Sequence, residues 1–182
     1  MTKYTIHTIE SAPEASKPLL ERAQKQLGFI PNLFGALAEA PVALETYLAL
    51  SGLVEKTSFS AAETEVINLS VSATNSCKYC LAAHSTISNM KKVTGDVIEA
   101  ARAGTPIADP KLDALAKLTR RVVGTRGWPE QVLLDDFFAQ GYTQANYLEL
   151  IVGVTMKTLS NYVNHQVDTP IDAAFGGASK AA

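Results

Sequence analysis

"SFSAAETEVINLSVSATNSCKYCLAAHS", residues 58 to 85, holds an apolar run, a polar break, both of the chain's cysteines and one of its three histidines. Ser60 and Glu63 stand at the Ser-x-x-Glu spacing in which each side chain satisfies a free backbone N–H of the other, which predicts a helix N-terminus. The run that follows is rich in Val, Ile, Leu and Ala, and Glu65, Asn68, Ser72 and Ser76 form one polar stripe along it. Asn75 and Ser76 are both good N-caps, so a second helix is expected from about Cys77, continuing to about Val93.

The same helical periodicity runs through the rest of the chain. "PEASKPLLERAQKQLG" reads as a helix ending at Gly28, with Pro31 beyond it. "PNLFGALAEAP" and "VALETYLALSGLVEK" give a short and a longer helix divided near Pro41. "TGDVIEAARAG" closes at Gly104, and Asp109 with Pro110 supplies an N-cap and first position for "DPKLDALAKLTRRVVGTRG". "PEQVLLDDFFAQG" and "TQANYLELIVGVTMKTLSNYVNH" finish the series, with Trp128 before Pro129 read as an anchor for a helix start. The one strand candidate is "YTIHTI" at 4 to 9, within an extended arm over 1–12. "GGASKAA", 176–182, has the composition of a frayed end. The expectation is a compact all-α chain, one domain over 1–182. A faint echo is consistent with two weakly related halves: Glu65 precedes Cys77 and Cys80 by the same distances at which Glu149 precedes Asn161 and Asn164.

Composition narrows the function classes. At 182 residues, 47% hydrophobic and 19% charged, the chain can bury a real core. A net charge of -2 offers nothing to attract nucleic acid or an anionic membrane. No apolar stretch is long enough for a membrane span, and the start lacks the apolar region of a secretory signal. The expected location is the cytoplasm, where a close cysteine pair is more often catalytic or metal-binding than structural.

On a helix from Cys77, the side chains of Cys77, Cys80 and His84 fall within a ~60° sector of one face. Both sulfurs then lie in or beside the first turn, where free N–H groups and the helix dipole stabilise a thiolate. An imidazole one turn past Cys80 can take its proton, which favours Cys80 as nucleophile and Cys77 as resolving thiol. If the two helices pack back on each other from a turn near Asn75, Glu65 lies ~15 Å up one and His84 ~12 Å up the other, so they come level. A carboxylate there would fix the ring's tautomer and raise its basicity. Tyr79 points away from the Cys80 direction and reads as packing. His165 reads as a capping or interior histidine, and His7 carries no signal.

Two other readings compete. The cysteines and His84 could be three zinc ligands, with His7, His165, Glu65 or water as the fourth, in a zinc-stabilised oligomeric module without catalysis. The pair could also exchange disulfides with partner proteins, as an oxidoreductase or sensor that turns over no peroxide. Replacing His84 by Gln separates the classes: a catalyst loses rate, whereas a zinc module loses metal and fold.

The pattern E-x11-C-x2-C-x3-H, from Glu65 through Cys77 and Cys80 to His84, resembles the active-site signature of AhpD-like alkylhydroperoxidases of the carboxymuconolactone decarboxylase superfamily. The ending "NYVNHQVDTPID" is similar to the close of its peroxidase-related branch. The resemblance implies an all-α homo-oligomer, trimer or hexamer, that reduces a small hydroperoxide with no bound cofactor or metal. In that reading Cys80 is peroxidatic, Cys77 resolving, and His84 with Glu65 the proton relay. An external dithiol, such as a lipoylated or thioredoxin-like protein, regenerates the pair. The sequence departs from the pattern at Tyr79, where well-known members carry a histidine.

Overall fold

The computed structural model describes residues 4–180, with side chains as far as Gly176. Among them are nine α-helices and no strand. They are α1 (Lys17–Leu27), α2 (Asn32–Leu37), α3 (Pro41–Val54), α4 (Ala61–Thr74), α5 (Lys78–Met90), α6 (Gly95–Ala103), α7 (Pro110–Gly124), α8 (Gln131–Ala139) and α9 (Gln144–Val167), with 3-10 turns at Glu14–Ser16 and Ala173–Lys180.

The ends of the helices follow from local chemistry. Ser60 and Glu63 close the capping box at α4, Glu63 N–H donating to Ser60 Oγ (3.3 Å) and Ser60 N–H to Glu63 Oε2 (2.8 Å). Thr143 and Asn146 form the same reciprocal cap at α9, and the Asp109 carboxylate accepts from the N–H groups of Lys111 and Leu112 at α7. α1 and α6 stop at Gly28 and Gly104, whose φ values of 81° and 70° are left-handed.

α4 is the central helix. Residues 65–72 of it are all buried, as expected for a helix apolar on nearly every side. It packs against α5, α6, α7 and α9. One apolar core gathers Val66, Leu69, Val97, Leu115, Leu118, Phe137 and Leu150 around it. A second, built from α1–α3 and the start of α5, encloses the two cysteines with Leu20, Leu44, Tyr47 and Met156. α9 approaches α4 closely at Gly153, where a Cβ would stand 3.2 Å from Ile67 Cγ2.

Several expectations are corrected. "YTIHTI" is not a strand: it has no partner strand, and His7 N–H instead donates to Gly35 O at 3.1 Å. That contact is so close that a Cβ on Gly35 would fall 2.7 Å from His7 O. Trp128 does not bury its side chain as a helix anchor: the residue is 84% exposed, and α8 begins after Glu130. The cysteine helix ends at Met90 rather than Val93 because Lys92 turns left-handed (φ 61°). The echo falls on unlike structures, since Glu65 and the cysteines span two helices while Glu149, Asn161 and Asn164 lie on one. Of the tail expected to fray, residues 181 and 182 lie outside the described residues.

Candidate active site

The site is built where α4 turns into α5. α4 closes in a Schellman motif: Ser76 N–H donates to Ala73 O (2.9 Å) and Cys77 N–H to Ser72 O (2.8 Å), with Ser76 left-handed at φ 56°. Asn75 and Ser76 therefore end α4 rather than begin α5, and Cys77 itself is the N-cap of α5. Ser76 is exposed and leaves the polar stripe; Glu65, Asn68 and Ser72 remain as its buried members. Cys80 sits in the first turn of α5, where unpaired N–H groups favour an anion.

Antiparallel packing brings Glu65 and His84 level. His84 Nδ1 and Glu65 Oε2 lie 2.8 Å apart, with Nδ1–H the donor to the carboxylate. The other oxygen, Oε1, accepts from Lys91 Nζ at 2.8 Å, and Ser88 Oγ reaches Oε2 at 3.5 Å. Burial opposes ionisation of Glu65, but its interactions with His84 and then with the Lys91 ammonium outweigh it, holding its carboxyl at about 2.

The opposite wall is α9. Lys157, 1% exposed, places Nζ 2.8 Å from His84 Nε2. Ser160 Oγ lies 3.7 Å from Cys80 Sγ, and Asn164 Nδ2 lies 3.3 Å from Cys80 Sγ and 3.9 Å from Cys77 Sγ. Asn161 ties α9 to the turn, its Oδ1 accepting from Asn75 Nδ2 at 2.9 Å. Lys157, Ser160, Asn161 and Asn164 occupy one face at helical spacing, and the expectations from sequence named none of them as a site residue, offering on α9 only His165 as an alternative zinc ligand. The available signal was a lone lysine followed by this polar stripe in an otherwise apolar stretch, "LIVGVTMKTLSNYVN".

Both cysteines are free thiols, each 1% exposed, and their environments differ. Cys77 is pushed up, first by its hydrogen bond to Cys80, then by burial. Cys80 is held well below the usual thiol range: the bond from Cys77 stabilises its anion, burial opposes, and Lys157, His84 and Ser160 add to the stabilisation. For Lys157, burial works against the charge but the Cys80 sulfur, foremost among Tyr47, Cys77 and Glu65, holds the ammonium above its ordinary value. The chemistry available is that of a polarised dithiol, with Cys80 the more readily ionised sulfur and Cys77 the one that holds its proton.

Tyr79 faces away from the sulfurs. Its hydroxyl donates to Asp172 Oδ2 at 2.5 Å, and the same carboxylate accepts from Asn32 N–H, so Tyr79 joins the C-terminal segment to the start of α2. His165 is exposed in the last turn of α9 and lines no interior wall. His7 pairs with Glu39 at 2.6 Å, remote in sequence from the cysteines. Both nitrogens of His84 are engaged by Glu65 and Lys157, and among the described residues no three His, Cys, Asp or Glu side chains converge to hold a metal ion. No helix among them is long and apolar enough to cross a membrane.

Residues 39–121 match the carboxymuconolactone decarboxylase family. No curated protein matches the chain. Among solved structures, an uncharacterized peroxidase-related protein from Ralstonia eutropha JMP134, with an alkylhydroperoxidase AhpD core, is 20% identical with a TM-score of 0.84, over 95% of this chain and 93% of that one. A peroxidase-related protein from Silicibacter sp. TM1040 is 20% identical with a TM-score of 0.80, over 97% and 98% of the two chains. The debrominase Bmp8 is 18% identical with a TM-score of 0.81, over 98% and 96%. The family's match runs from just before α3 into α7, and the fold around it is that of these AhpD-like structures.

Proposed function

We propose that this chain is a thiol-dependent hydroperoxide reductase, with Cys80 peroxidatic, Cys77 resolving, and Glu65 with His84 serving the proton relay. The observation that carries the reading is the asymmetry of the dithiol: Cys80 Sγ has Asn164 Nδ2 at 3.3 Å, Ser160 Oγ at 3.7 Å and a buried cation nearby, while burial and its neighbour keep Cys77 protonated.

The Cys80 thiolate attacks the distal oxygen of the peroxide, forming an S–O bond as the O–O bond breaks, and the alkoxide leaves as the alcohol after taking one proton. The Cys77 thiol then displaces hydroxide from the sulfenic acid, giving a disulfide and water. An external dithiol, of the lipoylated or thioredoxin-like kind, returns both thiols by exchange. The burial of both sulfurs favours a small hydroperoxide over direct attack on a large partner. Homo-oligomerisation and a cytoplasmic location belong to the same proposal.

The test is intact mass and peroxide consumption on reduced, metal-free protein given tert-butyl hydroperoxide, with and without dihydrolipoamide. Loss of two hydrogens, with repeated turnover in the dithiol and loss of both in Cys80→Ser, is the expected result. Unchanged mass with no peroxide consumed would sink the proposal. The debrominase of like fold favours a second reading, in which the dithiol gives its two electrons to a halogenated ring; bromide release from a bromopyrrole in the same assay distinguishes it.

A further inference from the structure

Lys157 is buried among groups that leave it one available counter-charge. His84 faces it from α5 at 2.8 Å, but Nδ1–H of that ring donates to Glu65, so Nε2 meets Lys157 as a neutral acceptor. Glu65, from α4, has both oxygens committed, Oε2 to His84 and Oε1 to Lys91, and its charge is matched by the Lys91 ammonium. Tyr47, from α3, is a buried phenol that burial keeps protonated. Cys77 keeps its proton, and Ser160 and Asn164 on α9 carry no charge. An ammonium buried without an anion is strongly unfavourable, and the anion left to it is the Cys80 sulfur.

Resting on the dithiol reading above, we infer that Lys157 is the charge partner of Cys80 and the store of its proton, and that His84 and Glu65 act on the thiol through Lys157. In the resting enzyme the proton that left Cys80 is on Lys157 Nζ, hydrogen-bonded to His84 Nε2. When the thiolate attacks a hydroperoxide, that proton goes to the leaving alkoxide, giving the alcohol and a neutral amine. The amine next takes the Cys77 proton as its sulfur attacks the sulfenic acid, and delivers it to the departing hydroxide as water. Two-electron reduction of the disulfide restores both thiols, and Cys80 protonates Lys157 again. His84, held in one tautomer by Glu65, keeps Nζ aimed and shares its proton.

The experiment reads the thiol without peroxide. Iodoacetamide alkylation at Cys80 is followed by peptide mass across pH in the wild-type chain and in Lys157→Met, Lys157→Arg and His84→Gln. Lys157→Met is expected to move the thiolate titration upward and slow alkylation at about pH 7 by roughly tenfold or more. Lys157→Arg should recover most of the rate, and His84→Gln should shift the titration less than Lys157→Met. A wild-type profile in Lys157→Met, or a larger shift in His84→Gln, overturns the inference. Should Lys157→Met not fold, the Lys157 Nζ resonance of ¹⁵N-lysine wild-type protein decides. Alkylating Cys80 removes the anion, so the Lys157 titration should move down, and no movement overturns the assignment. A chain with the expected profile that consumes no peroxide refutes the peroxidase reading and leaves the ion pair standing.

Discussion

Glu65 serves His84 and Lys91 through two oxygens, and only its ionised form can accept from both. Its folded value of about 2 lies below the ordinary 4.5, so the stabilisation is fully present above about 4.5 and disappears as pH falls toward about 2. The shift corresponds to something on the order of 3 kcal/mol. Glu65→Gln is therefore expected to lower the urea midpoint near neutral pH and to flatten its decline between about pH 5 and about pH 2, measured by fluorescence. Glu65, Cys77, Cys80 and His84 were legible from sequence because they fall within two adjacent helices, where residue counts translate into heights. Lys157 was not, because it stands 73 residues from His84 and only tertiary packing brings the two together. Local counting has no purchase on such a pair, although the lysine's isolation on an apolar helix was visible.

The turn between α4 and α5 governs where both sulfurs sit, since Cys77 N–H is bonded to Ser72 O across it. Its one demanding residue is Ser76, left-handed with a Cβ. Ser76→Val is expected to destabilise the chain by at least about 1 kcal/mol, because a β-branched residue tolerates positive φ poorly. Ser76→Gly should cost nothing by comparison in thermal unfolding, and the difference between the two variants isolates backbone strain from the lost hydroxyl. Asn75 and Ser76 were expected to open α5 because Asn and Ser are favoured N-caps. Asn is also tolerated in left-handed positions, so composition alone did not distinguish closing one helix from opening the next. Ser60 was unambiguous because its partner Glu63 stands three residues on and makes the cap reciprocal.

For the whole molecule, the all-helical architecture was readable because nearly every helix carries its own start or stop residue and α4 carries enough apolar surface to be enclosed. The extended arm lost its strand because a strand needs a neighbour, and no other segment among the described residues offered one. The burial of Lys157 reaches beyond the site, into the ordinary relation between cross-linking and robustness. A disulfide normally stiffens a fold, but one joining Cys77 to Cys80 closes so small a ring that it restrains the unfolded chain little. Its formation also erases the anion opposite Lys157 and leaves a buried amine that is neutral in the fold but takes up a proton on unfolding. The oxidised chain is thus expected to melt below the reduced one near neutral pH, with the gap narrowing as the pH rises toward the ordinary lysine range of about 10, where the unfolded chain's amine also loses its proton. Differential scanning calorimetry of the two redox forms across pH measures this directly. A higher melting temperature for the oxidised form would remove the basis for it. Otherwise the bond acts as a spring: part of the peroxide's oxidising energy is held in the fold and returned when the thiols are regenerated.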